Sequence, residues 1–255
     1  MIEKKLRALK EFVKEKGKDG VVIAFSGGID STVLAAICKD LIDVTLVTIV
    51  SDIFPKSEVK KASRIARELG LKHIEIELDL LSDENFVRNT VDRCYYCKKK
   101  MIEKLKEFDR VIFEGTNATD LRKHRPGYRA VLEEENVYSP WVEVGITKDE
   151  IIRIAKKLGL RVGAPTTCLA TRIPFNERIT RERLKRIEKA EEVIKRLGVE
   201  ILRVRDHGDL ARIEVGKEER KFVCELSDEI TRELKALGYK FVTLDLEGYR
   251  EGSFL

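Results

Sequence analysis

Ser26-Gly27-Gly28-Ile29-Asp30-Ser31 directly follows the run Val21-Val22-Ile23-Ala24-Phe25. The run reads as a buried strand, and a helix is expected to begin near Asp30. Glycines let the chain turn sharply and bring backbone N–H groups against a ligand. The helix N-terminus adds the positive end of its dipole, and together they form an anion nest suited to pyrophosphate. The hydroxyls of Ser26 and Ser31 can donate to phosphate oxygens. Asp30 would repel those oxygens, so its useful role is to hold a magnesium ion that bridges them. The segment is therefore assigned to a nucleotide, with Ala24, Ser26, Gly27, Gly28, Asp30 and Ser31 as its binding residues. It lacks the lysine of a Walker A loop and is not a G-x-G-x-x-G turn.

A second set of reactive residues is Cys94-Tyr95-Tyr96-Cys97, with Arg93 before it and lysines after it. The chain has five cysteines, an odd number and a poor disulfide framework. A C-x-x-C pair with one distant cysteine would supply three thiolates to an iron–sulfur cluster. A structural zinc site would want a fourth protein ligand, for which His124 is the candidate. A redox pair of the thioredoxin kind opens a helix in a different βαβ context. The neighbouring cations favour thiolate in either metal reading. Cys38 and Cys224 read as buried packing residues.

Two further groups carry polar chemistry. Gly115-Thr116-Asn117 follows the short apolar run Val111-Ile112-Phe113, offering a turn, a hydroxyl and an amide beside the nucleotide. Asp120 is placed to hold metal or orient a substrate, and Arg125-Pro126-Gly127 reads as a rigid turn presenting a cation. Arg203 and Arg205 stand two apart on an expected strand and so share a face, as do Arg212 and Glu214 on the next. Paired guanidiniums suit a substrate phosphate. His207 reads as a turn residue.

The elements that position these groups alternate. Strands are expected at 21–25, 44–50, 73–78, 111–113 and 137–139, with helices at 31–40, 57–69, 97–107 and 148–158. Such alternation means right-handed crossovers and a parallel sheet covered by helices on both faces, an α/β fold. Residues 160–180 break the pattern. Beyond them a helix at 181–197, a hairpin at 201–215, a helix at 227–237 and a strand at 240–246 read as a small α+β domain. The expected division is 1–165, a linker loop at 166–180 that carries Cys168, and 181–255.

Composition narrows the classes. Charged residues make up 37% and are of both signs, with a net charge of +5. That is a solvated mixed-charge surface rather than a nucleic-acid stripe. The absence of glutamine beside abundant Lys and Glu fits a heat-adapted organism. No apolar run approaches the roughly 18 residues of a membrane span. The charged amphipathic stretch at 1–17 is unlike a signal peptide, so the expected location is the cytoplasm.

The S-G-G-x-D-S signature resembles that of the PP-loop ATP pyrophosphatases, a Rossmann-like (HUP) family. The resemblance implies that ATP is split to AMP and pyrophosphate as a substrate oxygen is adenylylated. Taken with S-P-W at 139–141, G-I-T-K-D-E-I, C-L-A-T-R-I-P, R-V-R-D-H-G-D-L-A-R-I-E-V and L-D-L-E-G-Y-R-E-G-S, the chain resembles the LarE family along nearly its whole length. Those ATP-dependent sulfur transferases act in nickel-pincer cofactor biosynthesis. The resemblance implies that a carboxylate of pyridinium-3,5-biscarboxylic acid mononucleotide is adenylylated and becomes a thiocarboxylate. It makes Cys168 the sulfur-handling residue, with Arg172 beside it to stabilise charge developing in acyl transfer. It also implies that Arg203 and Arg205 take the substrate phosphate, with an acidic role for Glu214; Arg212 and Asp120 are counted with them as substrate-binding. One branch of the family sacrifices the cysteine's own sulfur. The other holds a 4Fe–4S cluster on three cysteines, which here would be Cys94, Cys97 and Cys168. A homo-oligomer, such as a hexamer, is the implied assembly. A tRNA thiolase and a nucleotide-binding metal sensor are the competing readings. Where the family often reads D-D-L, this chain has Thr119-Asp120-Leu121, followed by Arg122-Lys123-His124.

Overall fold

A computed structural model describes residues 2–122, 125–161 and 167–250. His124 and the expected boundary at 165–166 lie outside them. The chain divides into two compact units, Met1–Leu80 with Val91–Thr166, and Leu81–Thr90 with Thr167–Leu255.

In the first unit α1 (Ile2–Lys16), β1 (Val21–Ala24), α2 (Ile29–Cys38), β2 (Val44–Val50), α3 (Lys56–Leu69) and β3 (Lys72–Glu77) follow in order. A short helix, α4 (Glu84–Val87), belongs to the second unit. The first then resumes with α5 (Arg93–Leu105), β4 (Val111–Phe113), α6 (Pro126–Leu132), β5 (Val137–Tyr138), α7 (Pro140–Glu143) and α8 (Lys148–Lys157). The sheet order is β3-β2-β1-β4-β5, with every pairing parallel. Alternate residues of β1 feed two cores. Val21 and Ile23 pack with Leu9, Leu34 and Ile151 on one face, while Val22 packs with Ile102, Leu105 and Val131 on the other. A strand buried on both faces must be continuously apolar, which is why β1 and β2 are so plain in the sequence.

Strand order reverses between β1 and β4, where Ile23 pairs with Phe113. The loops leaving their carboxyl ends, 25–28 and 114–117, therefore share one edge of the sheet, at the switch point where open α/β sheets bind ligands. Gly27 has φ +66°, and a Cβ there would stand 2.8 Å from the Cα of Ala62. Only glycine satisfies both the left-handed turn and the close packing of α3.

In the second unit α9 (Arg181–Arg196) precedes β6 (Leu202–His207) and β7 (Leu210–Val215), followed by α10 (Arg220–Glu225), α11 (Ser227–Ala236) and β8 (Phe241–Leu244). The β6–β7 hairpin is antiparallel, and β8 adds in parallel beside β7. Val204, Ile213 and Val215 form the core with Ile194 and Leu234. Residues 81–90 are built into this unit. The side-chain amide of the buried Asn89 donates to the carbonyls of Pro174 at 2.7 Å, Glu177 at 3.0 Å and Ile173 at 3.3 Å. The Ile179 amide donates to Val87 at 2.9 Å.

Two local expectations change. The helix expected to start at residue 97 starts at Arg93, so both cysteines of the pair lie in its first turns. Cys-Tyr-Tyr-Cys is a poor helix former by itself. Here packing overrides propensity: Arg93 is buried, and Gly127 leaves the carbonyl of Cys94 room for close approach, where a Cβ would come to 3.2 Å. Cys224, expected to be buried, is exposed, because α10 buries only Val223. Cys38 is buried as expected, and burial pushes its thiol up to about 12. Among the described residues no helix is long and apolar enough to cross a membrane.

Candidate functional site

At the switch edge of the first unit, the phosphate loop is tied by its own hydroxyls. Ser26 Oγ accepts from the Gly28 amide at 3.2 Å, and Ser31 Oγ donates to the Gly28 carbonyl at 3.2 Å. The two hydroxyls lie 3.3 Å apart. Gly28 is the N-cap of α2 with extended backbone and no side chain in the way, so the helix's first amides face the loop. Gly115 presses against this turn: a Cβ there would lie 3.3 Å from the amide nitrogen of Ser31. The two glycine loops found in the sequence are thus one surface.

Asp30 projects from the first turn of α2. Its carboxylate accepts from Lys148 Nζ at 2.5 Å and from the Asn117 amide at 3.3 Å. The indole N–H of Trp141 donates to its backbone carbonyl at 3.3 Å. An aspartate on a phosphate-binding turn fits a magnesium ion bridging phosphate oxygens, and Lys148 brings a cation to the same spot. Asp120 braces Asn117, accepting from its backbone amide at 3.2 Å and its side-chain amide at 2.9 Å. Arg125 pairs with Asp120, and Pro126 opens α6 at N1 rather than closing a turn.

Lys148 and Glu114 were not singled out in the sequence. Lys148 is the first residue of α8, whose N-cap Thr147 and Glu150 form a capping box. That T-x-x-E pattern was the available signal for it. Glu114 is buried directly after β4 and accepts from Lys98 at 2.9 Å and from Ser139. Burial alone would raise its carboxyl, but the charge of Lys98 and the surrounding donors hold it below the usual range.

Cys94 is exposed and Cys97 half-buried, three residues apart and hence on one face of α5. None of the five cysteines is in a disulfide. Two thiols on one helix face are suitable donors for part of a metal site. Among the described residues no three His, Cys, Asp or Glu side chains stand together as a metal-binding group.

In the second unit Cys168 precedes a single turn of 3-10 helix, Leu169–Arg172. Arg172 is 1% exposed and organises that turn. Its Nη1 donates to the carbonyls of Thr167 and Cys168, both at 2.9 Å, and to the Thr171 hydroxyl at 2.9 Å. Its other edge meets Glu191 at 2.9 and 3.3 Å. Burial would raise the Glu191 carboxyl; Arg172 more than offsets that and holds it low. Sequence reasoning missed Glu191, since a glutamate amid a charged helix looks like surface.

The hairpin brings Arg203, Arg205, Arg212 and Glu214 to one face through the pairings Arg203↔Glu214 and Arg205↔Arg212. They are not a solvent ladder: Arg203, Arg205 and Glu214 are all buried. Glu214 accepts from Arg205 at 2.8 and 2.9 Å and from Arg212 at 2.8 Å. Arg205 also donates to the Thr171 carbonyl at 2.7 Å, joining the guanidinium face to the Cys168 turn. Burial, reinforced by the like charge of Arg172, lowers Arg203 from the usual arginine range. Arg212 also pairs with Asp245 at 3.5 Å, and guanidiniums gathered on one face suit a phosphate. His207 sits at the end of β6 by the tight turn, as expected.

Comparison with known proteins fits this geometry. The family model described as NAD synthase matches residues 1–100. The pyridinium-3,5-bisthiocarboxylic acid mononucleotide synthase of Lactiplantibacillus plantarum is 33% identical, covering 91% of this chain and 87% of its own. An uncharacterised protein of Methanocaldococcus jannaschii is 36% identical over 97% of this chain and 98% of its own. Another, from Synechocystis, is 35% identical over 99% and 97%. Among solved structures, the NMN synthetase of Francisella tularensis superposes with a TM-score of 0.52 at 19% identity, covering 65% of this chain and 76% of that one. That likeness establishes the parallel-sheet fold. At 33% identity to the Lactiplantibacillus plantarum synthase over 91% of its length, the chain belongs to the LarE family, ATP-using enzymes of the PP-loop superfamily.

Proposed function

We propose that this enzyme activates a carboxylate of pyridinium-3,5-biscarboxylic acid mononucleotide with ATP and converts it to a thiocarboxylate. The observation that carries this reading is the buried guanidinium cluster of Arg203 and Arg205, tied through Arg205 and Arg172 to the turn of Cys168. An anionic mononucleotide held by such a face lies beside a thiol whose backbone the same cations fix.

The substrate carboxylate attacks the α-phosphorus of ATP, and pyrophosphate leaves. Ser26, Ser31 and the amides at the start of α2 hold the phosphates, with Gly115, Thr116 and Asn117 closing the other side. Asp30 would hold the magnesium ion, and Lys148 stands ready to meet charge on the departing pyrophosphate. A carboxylate oxygen is a hopeless leaving group, whereas AMP is a good one. Sulfur then attacks the acyl carbon, the carbon–oxygen bond to AMP breaks, and a thiocarboxylate remains. Arg172 holds the Cys168 turn during this exchange. Arg203, Arg205 and Arg212 anchor the substrate phosphate, and Glu214 orients the last two.

Cys94, Cys97 and Cys168 would hold a 4Fe–4S cluster, which would supply the sulfur for the transfer. The pairing of Cys94 and Cys97 on one helix face supports this version over a sacrificial Cys168. The assembly proposed is a homo-oligomer.

The test is anaerobic reconstitution with iron and sulfide, then incubation with ATP and the pyridinium mononucleotide, with AMP and both masses followed. The expected result is substrate-dependent AMP with oxygen exchanged for sulfur in the product, lost in Cys168→Ala. Intact Cys168 after turnover supports the cluster; loss of hydrogen sulfide from it supports sacrifice. If the mononucleotide elicits no AMP, the assigned acceptor is wrong.

A further inference from the structure

Glu114 stands where the first unit's strand β4 ends, 3% exposed, and its carboxylate is fully engaged. One oxygen accepts from the Thr116 amide at 3.0 Å and from the Ser139 hydroxyl. The other accepts from Lys98 at 2.9 Å and from the Thr116 hydroxyl at 2.8 Å. These donors come from different places. Thr116 belongs to the nucleotide loop, whose Gly115 touches the phosphate turn at Ser31. Ser139 leads into α7. Lys98 follows Cys97 on α5, and the carbonyl of Cys94 at the head of that helix is packed against Gly127. A buried carboxylate with four donors is stiff, because withdrawing any donor leaves desolvated charge short of a hydrogen bond. Displacement of Thr116 must therefore be answered at Lys98.

We propose that Glu114 is a positioning residue that couples the nucleotide loop to the thiol helix, so that nucleotide seated on Thr116 changes the reactivity of Cys94 and Cys97. The purpose of the coupling rests on the reading that these two thiols handle sulfur: the thiol site responds once the activating nucleotide is in place. Glu114 touches neither phosphate nor sulfur; it acts through Thr116 on one side and Lys98 on the other.

The experiment needs no turnover. Trp141 is the chain's only tryptophan, and its contact with the Asp30 carbonyl makes intrinsic fluorescence a reporter of the phosphate loop. Alkylation rates of Cys94 and Cys97 are measured by peptide mass spectrometry with and without a non-hydrolysable ATP analogue. In the native protein the analogue should change these rates by about fivefold or more, the lower end of ordinary coupling between sites. In Glu114→Gln the analogue should still shift the fluorescence, while the alkylation rates no longer respond. Glu114→Asp, which keeps the charge, should restore part of the response. Should Glu114→Gln lose its far-ultraviolet circular dichroism, Lys98→Met cuts the same link from the helix side and must also abolish the response. Nucleotide binding that leaves native alkylation unchanged overturns the proposal, as does a folded Glu114→Gln or Lys98→Met that responds like the native chain. Because no pyridinium substrate is used, these results stand apart from success or failure of sulfur transfer.

Discussion

The guanidinium of Arg172 has Glu191 along one edge and the carbonyls of Thr167 and Cys168 along the other. Both charges of the pair are buried, at 1% and 3% side-chain exposure. Replacing Glu191 by glutamine leaves Arg172 buried without its counter-charge, at a cost of about 3–5 kcal/mol. The pH dependence follows from the lowered carboxyl. Its contribution is complete above the unfolded value of about 4.3 and is lost as pH falls through the lower folded value. Urea midpoints should therefore separate the native chain from Glu191→Gln widely at neutral pH, and the gap should narrow in acid. A gap independent of pH would show that Glu191 does not stabilise the fold as a carboxylate. The thiol turn's carrier was hard to see in the sequence for a simple reason: Arg172 announces itself beside Cys168, while its partner is 19 residues away on a helix of repeating charge.

Helix α8 illustrates how an element aims a residue. The Thr147 hydroxyl accepts from the Glu150 amide at 3.4 Å, and Glu150 accepts from the Thr147 amide at 2.9 Å. Lys5 of α1 reaches the same glutamate at 2.8 Å and the Gly145 carbonyl at 2.7 Å. The start of α8 is thus pinned, and its first residue, Lys148, meets Asp30. Thr147→Ala should cost about 1 kcal/mol of stability, the usual worth of such a cap. It should also raise the KM for ATP in pyrophosphate release more than it lowers kcat, since Lys148 loses its aim. An unchanged KM would mean that Lys148 does not help seat the nucleotide. The strands, the helix starts at 148 and 181 and the phosphate turn were all legible, because periodicity and glycine chemistry are local. The start of α5 and the existence of α6 were not, because they depend on packing between Cys94 and Gly127. The Lys148–Asp30 contact joins residues 118 apart, and nothing in either neighbourhood signals the other.

At the scale of the whole molecule, the chain does not visit its two units once each. Residues 81–90 belong to the second unit although they interrupt the first. Besides the Asn89 contacts, Arg178 forms a two-pronged pair with Glu84, at 2.5 and 2.8 Å. A fragment of residues 167–255 therefore lacks an integral piece and should unfold at lower urea than the same fragment given a peptide of residues 81–90. Equal midpoints would show that the interruption is dispensable. The sequence reading placed one boundary near 166–180 because the insertion is ten residues long and leaves no compositional mark.

The same interruption imposes an order in time on a growing chain. Asn89 leaves the ribosome 84 to 88 residues before the carbonyls it will bind. At roughly 5–20 residues per second, that is a wait of about 4–18 s. During that interval the strands of the first unit can pair while this ten-residue stretch stays unsatisfied, so the second unit completes only after the first has been synthesised.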